Sequence, residues 1–95
     1  MPPPDEPMAE PESLIKYPTD FPIKIVGLNQ AGFEAAIAQV LRTHAPDFDV
    51  TSIQVRESRA GKYLSISATI VARSRDQLDA LYLELTRHPM VRVVL

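Results

Sequence analysis

The chain contains no cysteine, which excludes disulfides, thiolate catalysis and cysteine-ligated metals. No apolar run approaches the ~20 residues needed to span a bilayer, and the N-terminus lacks the basic stretch and apolar core of a secretory signal. A soluble cytoplasmic protein without a membrane partner is therefore expected. Strong charge is missing too, with a formal net charge of -2 over 95 residues. Even this modest acidity is local. Residues 1–20 hold Asp5, Glu6, Glu10, Glu12 and Asp20 against Lys16, whereas the rest carries seven acids and nine bases. A nearly neutral domain offers no electrostatic reason to expect nucleic acid.

The length fits one domain, and six of the nine prolines fall within Met1–Pro18. Proline removes backbone donors, and so polar a segment cannot bury enough apolar surface to offset its ordering entropy. Residues 1–12 are expected to be a disordered tail and 13–20 an extended lead-in, where Leu14, Ile15 and Tyr17 are candidates to lie against the domain. The domain itself is expected over 21–95.

Regular periodicity begins at Phe21. Phe21, Ile23, Ile25 and Gly27 alternate with Pro22, Lys24, Val26 and Leu28, a strand with one better-buried face. Phe33, Ala36, Ile37, Val40, Leu41 and His44 then recur at helical spacing, and Ala45-Pro46 stops that helix. Val50–Ser58 reads as a second strand with Ile53 and Val55 inward and Gln54 and Arg56 outward. Ser58-Arg59-Ala60-Gly61 supplies a tight turn with glycine at an expected positive φ. Lys62–Ala72 is the clearest strand: Leu64, Ile66, Ala68 and Ile70 share one face, and Tyr63, Ser65, Ser67, Thr69 and Val71 the other. Ser74 followed by Gln77 has the form of a capping box. It opens a helix with Leu78, Leu81, Tyr82 and Leu85 on one stripe, closed by His88-Pro89 before a short strand, Met90–Leu95. The order β-α-β-β-α-β, with right-handed crossovers, predicts a ferredoxin-like α+β sandwich: an antiparallel sheet in the order 4-1-3-2 under two helices.

Several of these segments, taken in order, resemble the YbeD-like family of small bacterial proteins of uncharacterised function. They are Tyr17-Pro18-Thr19-Asp20-Phe21, Lys24-Ile25-Val26-Gly27, His44-Ala45-Pro46, Ser58 through Ile66, Leu78 through Tyr82, and Val91 through Leu95. The resemblance runs from about Leu14 to Leu95. It implies a ferredoxin-like fold similar to the ACT-type regulatory domains and a bacterial cytoplasmic protein. It brings no catalytic residue set and does not extend to the tail before Ser13.

Each candidate chemistry has a plainer reading beside it. His44 and His88 end the two helices, and since the helices run antiparallel their ends lie at opposite edges, which disfavours a shared metal. A helix C-terminus favours the imidazolium by about 0.3–1 kcal/mol without any ligand. Ser65 and Ser67 have no histidine beside them to act as base, and Asp76 and Asp79 suit the start of a helix through its dipole. No catalytic residue, cofactor or metal is expected, and the protein is not expected to be an enzyme. RNA-recognition domains share this topology but stack bases on several strand aromatics. Here Tyr63 stands alone, and Arg56, Arg59 and Lys62 make a hairpin that solvation explains, so RNA binding is a minor alternative.

Two binding readings remain. Asn29-Gln30-Ala31-Gly32-Phe33, joining the first strand to the first helix, loosely resembles the loop at which ACT domains offer helix N–H groups to an amino-acid carboxylate. Alternatively the outer sheet face, with Val26, Tyr63, Ser65, Ser67, Thr69, Val71, Met90 and Val94, or a strand edge, takes a protein partner. The expectation is an adaptor or regulatory domain, monomeric or weakly dimeric, that binds a protein through this face, with small-molecule sensing at the loop as the alternative.

Overall fold

The computed structural model describes residues 16–95. The expectations for the tail at 1–12, and for Leu14 and Ile15, lie outside the described residues. Strand β1 (Thr19–Leu28) leads to helix α1 (Phe33–His44), strand β2 (Gln54–Glu57), strand β3 (Tyr63–Ala72), helix α2 (Arg75–Arg87) and strand β4 (Val91–Val94). The sheet runs β2-β3-β1-β4 with every pair antiparallel. Counted from the β4 edge this is the expected 4-1-3-2.

Alternation places the core. Ile25 stands opposite Ile66 in the two central strands, and both are fully buried with Ile23, Ala68, Ile70 and Ala72. From above, α1 contributes Phe33, Ile37, Val40 and Leu41, and α2 contributes Leu78, Leu81 and Leu85, so both helical stripes face one side of the sheet. Phe21 is partly buried at the rim, where its ring meets that of Tyr82 edge-on at 6.5 Å. Partial burial raises the Tyr82 phenol above its ordinary pKa by desolvation.

Helix ends account for much of the polar bonding. The Ser74 hydroxyl accepts the Gln77 N–H at 3.1 Å, as the capping box requires. The return bond goes one residue upstream, to the Arg73 N–H. The Gln77 amide nitrogen donates to the carbonyls of His44 at 2.9 Å and Val71 at 3.3 Å, so one side chain ties the start of α2 to the end of α1 and the end of β3.

Three sequence expectations are corrected. The second strand begins only at Gln54, because Asp49 caps Val50–Ser52 into a short 3₁₀ turn, its carboxylate accepting the N–H and hydroxyl of Thr51 at 2.9 and 2.6 Å. Those bonds hold the Asp49 carboxyl below its ordinary pKa. Val55 is on the helix side, opposite Ile66, but 41% exposed, since β2 is an edge strand that the helices do not cover. Val94 and Met90 are not on the outer face. Val94 pairs with Ile25 and packs against the core with Met90, while Val93 pairs with Val26 and is 45% exposed. The register of β4 shifts between Val26 and Gly27, and a bulge reverses which side chains face out.

Tyr17 does pack against the core, as expected, but its buried hydroxyl has no hydrogen-bond partner among the described residues. Removing an unsatisfied buried donor while keeping the ring relieves a desolvation cost. Tyr17→Phe is therefore expected to leave stability unchanged or raise it by about 1 kcal/mol in urea denaturation. A loss of similar size would show that the hydroxyl is bonded in solution.

Candidate functional site

Of the two places singled out by sequence, the β1–α1 loop is the more committed to structure. Leu28 ends β1 opposite Tyr63, and the next residue continues the zipper: the Asn29 N–H donates to Lys62 O at 2.8 Å and its side-chain amide to Gly61 O at 2.9 Å. Asn29 thus fastens the loop to the β2–β3 turn, where Gly61 has the expected positive φ of 77°. Gly32 caps α1 at φ 88°, a conformation that strains any L side chain. Phe33 is fully buried, and its N–H donates to Gln30 O at 3.3 Å. Gln30 and Ala31 are exposed.

The sheet face opposite the helices is different. Strand register sets two rows of side chains across it. Gln54, Ser67 and Lys24 stand abreast, joined by Leu95, whose backbone exchanges bonds of 2.8 and 3.2 Å with Lys24. The next row is Arg56, Ser65, Val26 and Val93. Thr69 with Pro22 extends the face at one end, Tyr63 with Leu28 at the other. Lys62 Nζ lies 5.6 Å from the centre of the Tyr63 ring, a cation–π arrangement.

A hollow of about 460 Å³ is lined by Pro22, Lys24, Ser52, Gln54, Thr69 and Leu95 among others, and an adjoining one of about 240 Å³ by Lys24, Gln54, Val55, Arg56, Ser65 and Ser67. Lys24, Gln54 and Ser67 form the common wall. Of the expected partner face, Ser65, Ser67 and Thr69 line these hollows, Val26 and Tyr63 flank them, and Val94 lies on the other side of the sheet. Neither hollow touches Asn29–Phe33.

Lys24, Gln54, Arg56 and Leu95 were not grouped in the sequence reading, although the outward parity of the first three is legible there. Their meeting depends on register between segments as distant in the chain as those of Lys24 and Leu95.

His44 Nε2 is 2.6 Å from Glu84 Oε1 in the C-terminal half of α2, and His88 Nδ1, just after that helix, accepts the Met90 N–H at 3.1 Å. Among the described residues no three His, Asp or Glu side chains are grouped to hold a metal. None of the described helices is long and apolar enough to cross a membrane.

Residues 12–95 match the family described as protein of unknown function, DUF493. The chain belongs to this family. DUF493 agrees with the YbeD-like resemblance carried by the sequence, and the matched span leaves out residues 1–11 of the tail. The chain is 56% identical over 84 residues to a UPF0250 protein of Nitrosomonas europaea, covering 88% of this chain and 97% of the relative. It is 48% identical over 92 residues to another of Ralstonia nicotianae, covering 96% and 95%. Among solved structures, it is similar to a protein of H. pylori with a TM-score of 0.70 at 13% identity over 100% of this chain and 96% of that one. It is also similar to the ACT domain from GTP pyrophosphokinase of Chlorobium tepidum, with a TM-score of 0.60 at 23% identity over 80% and 84%. At these identities the structural neighbours establish the fold of this DUF493 chain, ferredoxin-like of the ACT type.

Proposed function

We propose that this protein is a non-enzymatic adaptor or regulatory module of the bacterial cytoplasm that binds a protein partner on its open sheet face. One observation carries the reading: both helices cover the same side of the sheet, and the other side presents two contiguous hollows flanked by exposed Val93 and Leu95. Helical coverage buries a sheet face against its own core, whereas an uncovered, hollowed and partly apolar one is the usual form of a partner surface. The ACT-like alternative, metabolite sensing at Asn29–Phe33, draws less support, since Asn29 and Phe33 are already engaged within the fold.

The test is a photo-crosslinking residue placed in cells at Thr69 or Val93, with Leu83, exposed on the helical layer, as the control. Discrete adducts are expected from the two face positions. The purified partner should then protect the amides of Val26, Tyr63, Ser65 and Ser67, and Tyr63→Ala should weaken the complex without unfolding the domain. Adducts from Leu83 alone, or saturable shifts of Gln30–Phe33 with an amino-acid panel while the face stays silent, would overturn the proposal.

A further inference from the structure

The two hollows differ in chemistry, and the difference specifies what fits them. The smaller is walled by the side chains of Lys24 and Arg56, with the hydroxyls of Ser65 and Ser67 and the amide of Gln54 between. Register puts the two cations on opposite sides of β3, two strands apart and one row out of step. At ordinary sheet spacing their backbones are about 10 Å apart across the strands and about 7 Å along them, so two long side chains can close on a single oxyanion over the serines. Neither cation is paired with a carboxylate among the described residues. No acid among the described residues lines either hollow; Asp20, opposite Val71, stands beyond the Pro22–Thr69 row. Two cations that line one hollow with no acid among its described lining residues favour an anion there.

The larger hollow adds Pro22 and the exposed side chain of Leu95 to the shared wall, with Ser52 and Thr69, so it sets an apolar patch beside the charged one. The hollows succeed one another along the strand direction by one row, two residues of β3. An extended peptide also repeats its side chains on one face every two residues, about 7 Å. We infer that the open face takes an extended segment of the partner carrying an apolar residue and an acidic residue two positions apart, the apolar side chain beside Pro22 and Leu95 and the carboxylate between Lys24 and Arg56. This inference rests on the open-face reading proposed above.

The experiment titrates the ¹⁵N-labelled full chain with a blocked pentapeptide holding leucine and glutamate two residues apart, with a control in which glutamine replaces the glutamate. Saturable shifts are expected at Lys24, Gln54, Ser65 and Ser67. Binding should weaken at least about fivefold with the glutamine peptide, and likewise in the Lys24→Gln/Arg56→Gln protein, and it should weaken with added salt. Both substituted positions are exposed, so the double variant should keep its amide dispersion. Equal binding of the two peptides, or no saturable shift on the open face, would overturn the acidic segment. Cross-links from Thr69 and Val93 that persist unchanged in the double variant would sink this inference while leaving the open-face reading standing. Loss of all face cross-links from the unsubstituted chain would remove both.

Discussion

Replacing Ile66 with alanine is expected to destabilise the domain by about 2–5 kcal/mol. Ile66 is fully buried at the middle of β3, between Ile25 on β1 and Val55 on β2 and beneath the helical layer. Truncation removes three carbons from a position walled by two strands and two helices, so the surroundings can relax only partly and a cavity remains. Urea denaturation at an unchanged m-value would measure the loss. A cost below about 1 kcal/mol would mean that the site collapses freely or that the faces of β3 are inverted.

Gly27→Ala should be at least as damaging, at about 3 kcal/mol or more. The backbone of Gly27 does not have a positive φ, and space rather than torsion demands glycine here. A Cβ would lie 2.3 Å from the Met90 carbonyl oxygen and 2.6 Å from two carbons of the buried Phe33 ring. The ring belongs to a packed helix and the oxygen to the main chain entering β4, so neither yields without moving an element. Gly32 makes the useful contrast, because a Cβ there meets nothing within 4 Å and only the left-handed backbone is strained. A Gly27→Ala protein that folds with a loss under about 1 kcal/mol would show that α1 and β4 are not seated so closely on β1.

Both positions bear on how far the sequence could be read. Ile66 was legible because alternation over ten residues of β3 has a period of two, and its apolar set has only one consistent face. The helices were legible for the same kind of reason, with Phe33 to Leu41 and Leu78 to Leu85 marking their stripes. Gly27 was legible as a member of the β1 alternation and of one segment of the family resemblance. Its role as the seat for Phe33 and Met90 carries no local signal, since a strand glycine looks alike whether a ring or solvent lies above it. The Asp49 cap was equally hidden: Val50-Thr51-Ser52 is β-branched and polar enough to pass for strand, until the Asp49 carboxylate competes for the Thr51 N–H.

The chain by itself therefore determined its elements, their order, the buried faces of β1 and β3, and the ferredoxin-like topology, because periodicity and turn chemistry are local and chirality limits the connections. It also carried the family resemblance. Tertiary structure alone decided the facing of β4. Val91, Val93, Val94 and Leu95 are apolar at both parities, so pattern cannot choose between Val93 and Val94, and the choice falls to the bulge opposite Gly27. It alone decided, too, that Lys24, Gln54, Arg56 and the two serines meet in one hollow. Parity states which way each side chain points, but only the pairing of distant strands states what stands beside it.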